Sequence, residues 1–141
     1  MEEKRRPLWS SSTATRVELY CSAHATEDHE KVLTALLNVI PEELRKRYLP
    51  AIEITKTVGY HGNPITIYRL VIEGIDANEI FKHVVSSLSE EDKEHISSTL
   101  RSRLEGRRLH MRVSKQWAYL GKLRVHEGDD VIKMVFTLGH T

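Results

Sequence analysis

The chain reads as a single α+β domain, a mainly antiparallel sheet covered on one face by helices. Three observations predict this. Apolar and polar residues alternate with period two in several short segments, apolar stripes with helical spacing lie between and after them, and turn-forming residues join two of the strands directly. A length of 141 residues suits one core that needs no disulfide or metal staple.

The elements follow in order. Met1 to Thr13 carries Lys4, Arg5, Arg6 and Pro7 and then a Ser10–Thr13 run without periodicity, so a flexible basic tail is expected over 1–13, ahead of the domain at 14–141. A strand over Arg16 to Ala23 has Val17, Leu19, Cys21 and Ala23 pointing one way. Cys21 is the only cysteine, so it forms no internal disulfide and is expected to be buried. Thr26 can cap a helix with Glu27 and Asp28 in its first turn and Val32, Leu33, Leu36, Leu37 and Ile40 as its apolar stripe; a short helix over Glu42 to Tyr48 follows Pro41. Strands over Ala51 to Val58 and Ile65 to Ile72 flank Gly59–Pro64, whose Gly, Asn and Pro residues predict a hairpin. Ile52, Ile54 and Val58 form the apolar side of the first of these strands.

Asp76 and Glu79 have capping-box spacing before Ile80, Phe81, Val84, Val85 and Leu88, and Ser89 can cap a further helix bearing Ile96, Leu100 and Leu104. The last third returns to strands at Arg107 to Ser114, Lys122 to Val125 and Val131 to Leu138, with a helical turn or loop over Lys115 to Leu120.

Charge is sorted along the chain although the net charge is only +1. Between Arg101 and Arg124 eight basic residues face one acid, Glu105, whereas Glu73 to Glu94 holds seven acids against Lys82 and Lys93. Alternation sharpens the basic segment: with Leu109, Met111 and Val113 inward, Arg108, His110 and Arg112 point out, and with Leu123 and Val125 inward, Lys122, Arg124 and His126 point out. Such an array suits phosphates, whose neutralisation releases counterions, and Trp117 or Tyr119 nearby can stack on bases or plug the core. His61 and Asn63 in the hairpin loop are polar positions on a turn, suited either to contacts or to turn chemistry alone.

Other chemistries find little footing. The eight histidines show no metal-ligand spacing, no nucleotide-binding glycine loop or nucleophile elbow is present, and no cofactor or metal is expected. Gly128-Asp129-Asp130 pairs two carboxylates after a turn, an arrangement that serves Mg²⁺ with phosphate but is more commonly only a turn. No apolar run approaches the ~20 residues that span a bilayer, and a cytoplasmic location is expected.

Several motifs together carry a resemblance. They are the first strand running into His24-Ala25-Thr26-Glu27-Asp28, the hairpin Gly59-Tyr60-His61-Gly62-Asn63-Pro64-Ile65, and Lys115-Gln116-x-Ala118-Tyr119-x-Gly121 followed by Glu127-Gly128-Asp129-Asp130. In combination they resemble a small archaeal RNA-binding family described as a predicted exosome subunit. The resemblance covers most of Arg16 to Leu138. It implies an α+β fold similar to the ribosomal protein that docks 5S rRNA, and a role beside RNA processing or ribosome biogenesis with exosome or ribosome-assembly partners. Many relatives carry Asp before the Lys-Gln pair and a small residue after it, where this chain has Ser114 and Trp117.

The resulting expectation is a non-catalytic RNA binder. Arg108, Arg112, Lys115, Lys122 and Arg124 contact phosphates, Gln116 and Tyr119 add contacts to bases or sugars, and His61 and Asn63 are counted among the RNA-binding residues. The rival readings are a protein-interaction adaptor using the acidic helical pair or the basic face, and an enzyme using His61 or His110 as acid and base. RNA identity and oligomeric state are left open.

Overall fold

A computed structural model describes residues 8–139. Its strands are β1 (Ala14–His24), β2 (Glu53–Val58), β3 (Pro64–Glu73), β4 (Leu104–Glu105), β5 (Arg108–Ser114) and β6 (Val131–Leu138). They form one sheet in the order β2-β3-β1-β6-β5-β4, with every neighbouring pair antiparallel. The helices are α1 (His29–Leu37), α2 (Glu42–Tyr48), α3 (Ile75–Ser87), α4 (Glu90–Ser98), α5 (Leu100–Arg103) and α6 (Lys115–Tyr119).

Strand alternation divides the sheet into two unlike faces. Val17, Leu19, Cys21 and Ala23 of β1, Tyr68, Leu70 and Ile72 of β3, Leu109, Met111 and Val113 of β5, and Met134 and Phe136 of β6 are all buried. Against them lie Leu36 from α1, Ile80, Phe81 and Val84 from α3, and Ile96 from α4. Phe81 meets Phe136 edge-on at 4.9 Å between ring centroids, a preferred aromatic geometry at the middle of the core. Among the described residues no helix lies on the opposite face of the sheet.

The hairpin forms as the turn residues predict: β2 and β3 pair from Glu53↔Arg69 to Val58↔Pro64. Ser89 also caps α4 as expected, its Oγ accepting from the Asp92 N–H at 3.0 Å. Other expectations require correction. Residues 1–7 of the expected basic tail lie outside the described residues, but from Leu8 the chain makes a 3-10 turn that buries Trp9, whose indole N–H donates to Ser97 Oγ at 2.9 Å. An aromatic with a polar partner thus docks the part of the segment read as tail. β2 alternates in sequence but buries neither side, with Ile54 56% and Val58 66% exposed, because it is the edge strand and the helices stop short of it.

The N-cap of α1 is Asp28 rather than Thr26, and it accepts from the Glu30 N–H. At α3 no capping box forms. Gly74, at φ 83°, starts the helix, placing Asp76 inside the first turn, where its carboxylate accepts from Tyr48 Oη and from Arg47 at 2.8 Å. These hydrogen bonds, that of Tyr48 foremost, hold the Asp76 carboxyl below its ordinary range. The helix expected to carry Leu100 and Leu104 breaks at Thr99, and Leu104 lies on β4. Lys122 to Val125 makes only one bridge, Val113↔Val125, because the turn at Gly121 delivers it to the β5 edge for two backbone hydrogen bonds.

Candidate nucleic-acid interface

The pairing registers build one polar row across the uncovered face. Glu53 opposes Arg69, Arg69 opposes Tyr20, Tyr20 opposes Lys133, and Lys133 opposes Arg112. Five residues from five strands are thereby brought side by side at strand spacing. Tyr20 is 41% exposed, and the Lys133 ammonium lies 5.6 Å from its ring centroid. Among the described residues neither Arg112 nor Lys133 makes an ion pair.

Two hollows adjoin this row and share Tyr20, Arg112 and Lys133 as a common wall. The first, about 350 Å³, continues past Ser22 to Ile65, Ile67 and Thr57 at the root of the hairpin and to Gly128 and Asp129. The second, about 440 Å³, continues past Glu18, Arg69, Arg108 and His110. In the second hollow Arg69 and Arg108 are already paired, Glu18 receiving them at 2.8 Å and 3.4 Å, and Arg16 reaches the same carboxylate at 3.6 Å.

The residues expected to contact RNA therefore do not form one array. Arg112 stands free on the open face, and Arg108 is on the same face but divided between Glu18 and Glu105. Lys115 is a correction, being only 6% exposed. Ser114 ends β5 and caps α6, its Oγ accepting from the Trp117 N–H, which turns Lys115 inward. The Lys115 ammonium donates to the Ser22 carbonyl at 2.7 Å and pairs with Asp130 at 2.9 Å and Glu27 at 3.0 Å. Burial disfavours this charge, but the two carboxylates outweigh it and raise the lysine pKa above its usual value. With three partners in place, Lys115 is a tie between β1, the start of α1 and the Asp129–Asp130 turn.

Gln116 and Tyr119 lie against α1 instead of the sheet row, with Lys31 over the Tyr119 ring at 5.5 Å. Lys122 and Arg124 gather on Trp117, the Arg124 guanidinium stacking 3.7 Å from the ring centroid. Trp117 and Tyr119 are both partly exposed and thus surface residues. The groove beside Lys122 and Arg124 is walled by Glu91 and Asp92, and Asp92 accepts from the Val125 N–H at 3.0 Å, so the acidic and basic stretches meet here. Asn63 packs over Gly59, where an added Cβ would lie 2.8 Å from its Oδ1, and its carbonyl accepts from the Gly59 N–H: turn chemistry accounts for it. His61 sits edge-on to the exposed Tyr60 at the hairpin tip.

His61 and His110 stand on opposite sides of β1 and β6, so they do not converge as an acid–base pair, and His110 is engaged with Glu105 at 3.2 Å. Burial raises the Cys21 thiol to about 12, which keeps it a protonated core group. Among the described residues no three His, Cys, Asp or Glu side chains gather as a metal-ligand set, and no helix is long and apolar enough to cross a membrane.

Tyr20, Arg69 and Lys133 are the residues at these hollows that sequence reasoning missed; Asp129 was singled out there, but as a turn residue or a Mg²⁺ ligand. For Tyr20 the signal was present, since an inward Cys21 obliges its neighbour to point outward. For Lys133 the decisive fact is the register of β6 on both β1 and β5, which no local pattern specifies.

Comparison with known proteins agrees with this architecture. The chain is 39% identical to protein MJ0213 of Methanocaldococcus jannaschii over 85% of its own length and 81% of that protein's. It is 35% identical to the RNA-binding protein PAB1135 of Pyrococcus abyssi over 84% of its length and 78% of that protein's. The crystal structure of protein AF2318 from Archaeoglobus fulgidus superposes with a TM-score of 0.75 at 30% identity, covering 90% of this chain and 88% of that one. Mth689 of Methanothermobacter thermautotrophicus superposes with a TM-score of 0.72 at 27% identity, covering 91% and 87%. Residues 16–138, nearly the whole sheet with all its helices, match the model of the family described as RNA binding, and the chain belongs to that family.

Proposed function

We propose that this protein binds single-stranded RNA, without cleaving it, on the uncovered face of its sheet. One observation carries the reading: Tyr20 lies exposed between strands, with two cations that have no carboxylate partner among the described residues, Lys133 and Arg112, in the same row. Unpaired cations release counterions when they meet phosphate without first losing a carboxylate partner, and an exposed aromatic on a strand offers a stacking platform to an unpaired base. The family description and the name of the Pyrococcus abyssi relative support the same ligand class. We further place the activity beside RNA processing, in an exosome or ribosome-assembly setting, as the motif resemblance implies, and in the cytoplasm, as the composition of the chain leads us to expect.

Binding to generic single-stranded RNA across a salt series tests this. With Arg112, Lys133 and one flanking cation on phosphates, the log-log slope is on the order of −2, from about −0.7 per contact. The Arg112→Ala/Lys133→Ala double variant flattens it by roughly 1.4, whereas Tyr20→Ala weakens binding at constant slope by about 1–3 kcal/mol. An unchanged slope in the double variant overturns the assignment of the face. No binding at low salt overturns RNA binding itself and favours the adaptor, for which the groove at Trp117, walled by both Arg124 and Asp92, is the surface to examine.

A further inference from the structure

The first hollow contains one group that a phosphate site would not choose. Asp129 lines it, is exposed, and makes no ion pair among the described residues, although Arg112 and Lys133 line the same hollow. A free carboxylate there repels phosphates. It is, however, an acceptor for the donor edge of a base.

We propose that this hollow is a guanine pocket for an unpaired nucleotide, with Asp129 as the residue that determines specificity; the inference rests on the RNA-binding reading of the open face. Its walls divide the labour. Ile65 and Ile67 at the hairpin root offer apolar contact and Tyr20 a ring face, while Arg112 and Lys133 belong to the wall shared with the second hollow, along which the backbone can run.

The choice among bases follows from their edges. Guanine presents N1–H and the 2-amino group side by side, two donors matched to the two oxygens of one carboxylate. Adenine and cytosine present one amino group beside a ring nitrogen acceptor, and uracil flanks its single N–H with two carbonyls, so each sets an acceptor against the carboxylate.

The turn is also held in place. Asp130, the next residue, is bound by Lys115, and the Asp129 carbonyl accepts from the Val131 N–H at 3.0 Å. The His126 ring packs over Gly128, where an added Cβ would lie 2.6 Å from His126 Nε2 and the exposed ring would have to swing aside. A carboxylate on a fixed turn discriminates better than one on a loose loop.

The experiment measures fluorescence anisotropy of the full chain with short uridine-rich oligonucleotides carrying one central guanosine, inosine, adenosine or cytidine. The guanosine strand binds tightest, by about 5- to 150-fold over adenosine, the range of one bidentate base contact, and inosine, which lacks the 2-amino group, falls between. Asp129→Asn and Asp129→Ala erase the preference while affinity for the all-uridine strand holds or rises. Equal binding of all strands, or a preference that survives in Asp129→Ala, overturns the guanine pocket and leaves the RNA-binding reading standing. Failure of every strand to bind at low salt overturns both.

Discussion

At one end of the uncovered face Arg16, Arg69 and Arg108 converge on Glu18, and Glu73, Glu53 and Glu105 each give one of them a second carboxylate; at the other, Arg112 and Lys133 share a row with Tyr20 and have no carboxylate partner among the described residues. Counted as cations, the two ends look alike. Electrostatically they differ, since an arginine already paired must give up a carboxylate before it can meet a phosphate, and that exchange returns little. The position of the acids, more than the number of bases, marks the binding end.

The largest effect is expected where the free end is tied to the scaffold. Lys115→Met removes the ammonium from Glu27, Asp130 and the Ser22 carbonyl and should destabilise the protein by roughly 2–4 kcal/mol in denaturant unfolding, toward the low side of the range for buried pairs because both carboxylates remain partly solvated. Since the lysine pKa is raised on folding, its contribution is full at neutral pH and fades only as pH rises through that raised value. A variant as stable as the parent would show that the turn needs no such tie.

A second test converts one end of the face into the other. Glu18→Gln removes one carboxylate from three arginines, each of which keeps a second in Glu73, Glu53 or Glu105, and the RNA salt slope should steepen by roughly 0.7 as one of them takes up phosphate. An unaltered slope would mean that this end never meets RNA. The smallest effect belongs to Arg108→Ala in the otherwise native chain, where Glu18 and Glu105 already hold the guanidinium: the slope should flatten by no more than about 0.3, under half of one full contact. A loss equal to that of Lys133→Ala would erase the distinction between the ends.

Much of this architecture was legible in the chain. The period-two runs of β1, β3, β5 and β6, the hairpin at Gly59–Pro64 and the cap at Ser89 are local patterns, because side-chain alternation and turn geometry act over a few residues. Arg108 and Arg112 could be assigned to the outward side for the same reason. Where those rules failed, a distant partner intervened: Trp9 found Ser97, Asp76 found Tyr48 and Arg47, and β2 alternated without burial because no helix reached it.

The sequence by itself determined which side of each strand a residue occupies and that cations crowd the last third. Only the tertiary structure decided which cations are free. Lys115 and Arg112 are three residues apart, yet one is buried between carboxylates from β1's far loop and the turn before β6, and the other stands beside Lys133 on the open face. Charge neutralisation depends on distances of a few ångströms between residues remote in the chain, and the pairing of strands, which no local pattern encodes, sets those distances.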